Sequence, residues 1–152
     1  ILGENSLRIF LDHESIENAG LKLDEVKAAA KKEFEKDDNV AFVVDYDNVA
    51  AQSIPQPIRE RIINGYSRER GGDLLLITNP GWIDASNDAN YKGTTHGLWN
   101  PDDSHIPLIF MGWNIKHGET SKPTSMTDIA PTICSMLHIQ MPNACVGNSI
   151  FE

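Results

Sequence analysis

Short apolar runs alternate with amphipathic segments along this chain, and that alternation restricts the fold more than any other feature. Residues 7–11, 40–44, 74–78 and 107–111 have the length and the apolar, often β-branched character of strands. Between the first two, a helix is expected over residues 24–36. There Val26, Ala29, Ala30 and Phe34 share one face and Lys27, Lys31 and Glu35 another, with Asp24 as a candidate cap. A second helix is expected over 57–66, where Ile58, Ile62 and Tyr66 recur at i, i+4 and i+8. Pro57 suits its first turn, and Asn64-Gly65 offers a stop. A last helix starts at Thr127 or Asp128, with Pro131 in its first turn and an apolar stripe of Ile129, Ile133, Met136 and Leu137. Residues 12–20 read as loop. The expected fold is α/β, a mixed sheet flanked by helices.

The expected division places an α/β subdomain over residues 1–82. Residues 83–152 would hold a long polar loop, a strand and the C-terminal helix. Residues 83–105 are rich in Asn, Asp, Gly and Thr, and long loops of this kind often carry function. The chain opens in Ile1-Leu2-Gly3-Glu4-Asn5, without an initiator Met, and reads as a piece of a larger protein. No apolar run approaches membrane-spanning length.

Charge narrows the function. A net charge of −9 argues against a surface for nucleic-acid backbones. The same charge repels anionic small molecules, so a phosphate ester would need a metal ion to hold it. The two cysteines, Cys134 and Cys145, fit either one disulfide or two thiols, and their spacing forms no Cys-x-x-Cys zinc knuckle.

The segment Lys92-Gly93-Thr94-Thr95-His96-Gly97 is the most suggestive for chemistry. Neutral imidazole is a natural zinc ligand, and flanking glycines let the backbone bend sharply. Taken alone, His96 is either a turn residue or a ligand, and both readings stay open. His13 reads as a polar strand end, His105 as a loop residue, His117 as part of an exposed turn and His138 as a helix-terminal cation. Asp45 and Asp47, two apart on a strand, could imitate a metal pair but read better as a solvated strand end. Asp102-Asp103 resembles an ordinary turn, and Asp128 a helix cap. There is no Gly-x-Ser-x-Gly elbow and no phosphate-cradling Gly-rich loop ending in Lys.

Several of these stretches together resemble one family. Gly93-Thr94-Thr95-His96-Gly97 and the run His105-Ile106-Pro107-Leu108-Ile109-Phe110-Met111-Gly112-Trp113 are similar to a signature of PafA-like alkaline phosphatases. These belong to the type I phosphodiesterase and nucleotide pyrophosphatase branch of the alkaline phosphatase superfamily. Thr127-Asp128-Ile129-Ala130-Pro131-Thr132-Ile133 resembles a helix that recurs across the superfamily, including sulfatases and cofactor-independent phosphoglycerate mutases. Asn64-Gly65-Tyr66, Arg70-Gly71-Gly72-Asp73-Leu74 and Pro80-Gly81-Trp82 match the same pattern. The resemblance is densest over residues 64–150.

The resemblance implies a metal-dependent phosphatase or phosphodiesterase with two zinc ions. A Thr or Ser alkoxide attacks phosphorus beside one ion, the leaving oxygen is stabilised by the other, and water then hydrolyses the phospho-enzyme. His96 matches the one ligand of that site supplied late in the chain. The nucleophile and the other ligands, two Asp-His groups and an early Asp, lie in earlier sequence. The implied partners are a phosphate-ester substrate and the rest of the polypeptide. The implied location is periplasmic or secreted. This chain by itself is expected to be inactive. Residues 98–104 depart from the family's pattern, which leaves substrate preference open. The alternatives are a non-catalytic interaction module on the same fold, or a sulfatase or phosphoglycerate mutase relative.

Overall fold

The computed structural model describes residues 3–5, 7–82, 90, 92, 96–97, 99–112 and 114–151. The chain divides into two compact units, Ile1–Pro107 and Leu108–Glu152. The first unit is built on four strands: β1 (Gly3–Asn5), β2 (Arg8–Phe10), β3 (Val40–Asp45) and β4 (Leu74–Thr78). Their order in the sheet is β1-β2-β4-β3, and each of these pairings is antiparallel. Helices alternate with the strands, so the architecture is α/β as expected.

β4 explains why Leu74-Leu75-Leu76-Ile77 shows no polar alternation. It is central, so both of its faces are covered. Leu74 and Leu76 join Ile9, Leu11 and Val43 on one side of the sheet. Leu75 and Ile77 join Val44, Val49, Ile54 and Ile62 on the other. The first side is roofed by α2 (Leu23–Phe34), which packs Val26, Ala30 and Phe34 onto the sheet. The second is covered by a 3-10 turn (Tyr46–Ala51) and by α3 (Gln56–Gly65), whose Ile62 is 1% exposed.

Three local expectations change. Residues 13–18 form a short helix, α1 (His13–Asn18), where a loop was expected. Asp12 caps it by accepting the Ser15 N–H at 3.0 Å, and six residues are too few to show a helical period in sequence. Lys22, not Asp24, is the N-cap of α2, and Asp24 and Glu25 lie in the first turn, where the helix dipole favours them. Lys27, expected on the solvent face, is 3% exposed. Its ammonium reaches Asp45 at the end of β3.

In the second unit a 3-10 turn (Met126–Asp128) leads into the final helix, Ile129–Leu137. Its N-terminus is tied to the chain's end. The Asp128 carboxylate accepts the N–H groups of Ser125 and Asn148, each at 2.9 Å. Thr132 Oγ1 donates to the Asp128 carbonyl and accepts the Ile150 N–H at 3.0 Å. Gly147 passes against the Thr127 carbonyl so closely that a Cβ has no room. Phe110 meets Phe151 edge to face at 5.3 Å.

Residues 107–111 form no strand among the described residues. A strand is defined by a partner, and an apolar sequence cannot supply one. Ile109 and Met111 stand 81% and 94% exposed. Cys134 and Cys145 are free thiols, the first of them buried.

Candidate functional site

The neighbourhood of His96 is built outward from α3. Arg61, on that helix, donates to the Trp99 carbonyl at 2.7 Å and to Ser104 Oγ at 2.8 Å. Trp99 packs against the core cluster beneath α3. Asn100 is buried and caps a single helical turn, α4 (Pro101–Ser104), with Pro101 at a position where the missing N–H costs nothing. Ser104 Oγ closes the turn on the Asn100 carbonyl at 2.8 Å. α4 therefore rests on the packed part of the first unit.

From that base Asp103 reaches back to the histidine segment. One carboxylate oxygen meets His96 Nδ1 at 2.7 Å, and the other accepts the Gly97 N–H at 2.7 Å. Gly97 sits at φ 128°, a conformation that a side chain would strain. The Asp103 side chain is 12% exposed and the His96 side chain 92%. An ionised carboxylate can only accept, so Nδ1 carries the proton, and a neutral ring then keeps its lone pair on Nε2. Imidazole bound to a carboxylate through one nitrogen is the usual arrangement of a histidine metal ligand. As one donor of a metal site, His96 fits. Among the described residues no group of three or more His, Cys, Asp or Glu is gathered that could hold a metal.

The remaining candidates go elsewhere. Asp45 and Asp47 form no metal pair but share one lysine, with Asp45 largely covered and Asp47 exposed. Lys27 Nζ lies 3.1 Å from Asp45 Oδ1 and also bonds the Asp47 carboxylate. Burial opposes the charge on Lys27, but the Asp47 and Asp45 carboxylates outweigh it and raise its pKa. Burial likewise opposes charge on Asp45, and hydrogen bonds from Asn48, Lys27 and the Asp47 N–H outweigh it and lower the pKa. His13 pairs with Asp73 at 2.7 Å, and Asp73 also accepts the Leu11 N–H. His105 follows α4 as its C-cap, and His138 caps the final helix in a left-handed conformation at φ 52°. Thr94 and Thr95 lie outside the described residues. An open apolar groove between α1 and α2, lined by Leu11, Ile16, Leu21 and Val26, does not include His96.

Asp103 is the residue that sequence reasoning missed. Its signal was Asn100-Pro101-Asp102-Asp103, a capping residue, a proline and two acids, which reads as a helix start rather than a turn.

Comparison with known proteins adds the context. No protein-family model matches the chain. It is 50% identical over 145 residues to a calcium-transporting ATPase of Myroides odoratus, a match covering 95% of this chain and 26% of that protein. It is 44% identical over 145 residues to alkaline phosphatase PafA of Elizabethkingia meningoseptica, with the same coverage of both. The crystal structure of wild-type alkaline phosphatase PafA superimposes with a TM-score of 0.87, covering 95% of this chain and 27% of that one. The chain thus spans about a quarter of the length of the relatives it matches.

Proposed function

Because the chain belongs to the PafA-like branch of the alkaline phosphatase superfamily, we propose that the whole protein hydrolyses phosphoric esters at a two-zinc site to which this chain contributes His96. The observation that supports His96 is its geometry. The ring is exposed and its Nδ1 is engaged by a carboxylate, an arrangement that favours the tautomer with its lone pair on Nε2. The nucleophile and the remaining ligands belong to sequence outside this chain.

Zinc bound there would supply the positive charge that a reacting phosphoric ester needs. This chain's own part is narrower. His96 offers a neutral donor, and Asp103 fixes the ring and the backbone behind it. With a net charge of −9 the chain repels an anionic ester at long range, so binding has to be local. The name of the Myroides relative adds ATP as a candidate substrate. Its terminal bond is a phosphoric anhydride, and cleaving it, like cleaving an ester, transfers a phosphoryl group. We place the protein in the periplasm or outside the cell. No helix among the described residues is long and apolar enough to cross a membrane.

The test uses the whole protein with a chromogenic phosphate monoester, a diester and ATP. Chelation should abolish turnover and zinc should restore it. His96→Ala should lower kcat/KM by at least about 100-fold, or about 2.7 kcal/mol of transition-state stabilisation. Full activity in the His96→Ala protein would overturn the assignment.

A further inference from the structure

Resting on the reading of His96 as a zinc ligand, we propose that Asp103 is the positioning residue that holds this imidazole in its ligating tautomer and orientation. Its two oxygens are both committed, one to Nδ1 of His96 and one to the N–H of Gly97, each at 2.7 Å. The carboxylate thus fixes the ring and the peptide beside it together. It is well covered while the ring it holds is almost fully exposed. A covered carboxylate loses little freedom on binding the ring, whereas an exposed one would have to be ordered first.

The carboxylate is itself held. α4 carries it, and Arg61 ties α4 to α3 through the Trp99 carbonyl and Ser104 Oγ. The neighbouring Asp102 is exposed and lies one residue back around the same turn, so it faces a different direction. Of the two adjacent acids, only Asp103 is set to act on the ring. A carboxylate acceptor on Nδ1 does two things. It keeps the proton there, so the lone pair stays on Nε2, and it makes that lone pair more basic toward a cation.

The experiment compares the whole protein with its Asp103→Ala, Asp103→Asn, Asp102→Ala and His96→Ala variants. Zinc Kd is read by chelator competition. The His96 tautomer is read by NMR on the metal-free protein labelled with 15N-histidine. Asp103→Ala should weaken zinc binding about 10–100-fold and shift the ring from its Nδ1–H toward its Nε2–H form. Asp103→Asn keeps an oxygen acceptor but no charge and should fall between Asp103→Ala and the parent. Asp102→Ala should match the parent in both readouts. An unchanged tautomer in Asp103→Ala overturns the proposal, because a merely structural role leaves the tautomer alone. So does a parental zinc Kd in Asp103→Ala while His96→Ala has lost affinity. A parental Kd in His96→Ala is a different failure, since it removes His96 as a ligand and the proposal with it.

Discussion

A single lysine shows how much packing can change the reading of a residue. On the helical pattern Lys27 belongs with Lys31 and Glu35 on a solvent face. In the structure its side chain is 4% exposed and its ammonium sits between Asp45 and Asp47. Nothing in the spacing of α2 signals this, because the partners lie on β3 and the turn after it, 18 and 20 residues away. Replacing Lys27 by Met keeps the stem and removes the charge, leaving the largely covered Asp45 carboxylate with neutral donors from Asn48 and the Asp47 N–H in place of its cation. We expect a loss of about 1–3 kcal/mol in stability of the whole protein, below the ~3–5 of a fully buried pair because Asp47 stays solvated. Chemical denaturation of the parent and of Lys27→Met measures it, and an unchanged midpoint would show that the pair contributes nothing net. His96 was readable as a candidate from its type and its glycine neighbours. Asp103 was not, because pairing seven residues apart depends on a turn that distant residues such as Arg61 help to hold in place.

Elements were legible where their burial is simple. β4 is apolar throughout because it is covered on both faces, and β3 ends where Asp45 turns toward Lys27. α3 follows its apolar spacing and its proline, whereas the final helix forms where expected but buries Pro131, Thr132 and Cys134 and leaves Ile133 and Leu137 of the expected stripe exposed. α1 escaped because it buries no residue, so no apolar stripe announces it. The final helix has a link that can be read by pH. The Asp128 carboxyl is held below its usual value of 3.8 by the N–H groups of Asn148 and Ser125. A folded-state pKa below the unfolded one adds stability that is fully present above about 3.8 and is lost as pH falls through the lowered value. Asp128→Asn should therefore flatten the acid limb of the stability curve while changing the slope little near neutrality. Denaturation midpoints between pH 7 and about pH 3 check this, and parallel curves would remove Asp128 from the acid response.

At the scale of the whole molecule, the α/β class was legible because alternating strands and helices are a local pattern. The strand expected over 107–111 was not realised, because among the described residues that run pairs with no other strand. In the second unit Ile109, Met111 and Val146 are more than 80% exposed, an amount of apolar surface that usually meets another part of a protein. The metal site follows the same logic, since one histidine holds zinc weakly and catalytic sites use about three protein ligands. Expressed alone, the 152-residue chain should show no turnover of a phosphate ester at any zinc concentration. Turnover near that of the whole protein would mean that the remaining ligands lie within these residues. The bonds from Asp128 to Asn148 and from Thr132 to Ile150 also set an order of events at the ribosome. Synthesis delivers Asp128 and Thr132 well before their partners, so the final helix emerges with its first turn unanchored. It matures only when the last described residues have been made, and a chain stalled or clipped before Gly147 would leave it without its lock.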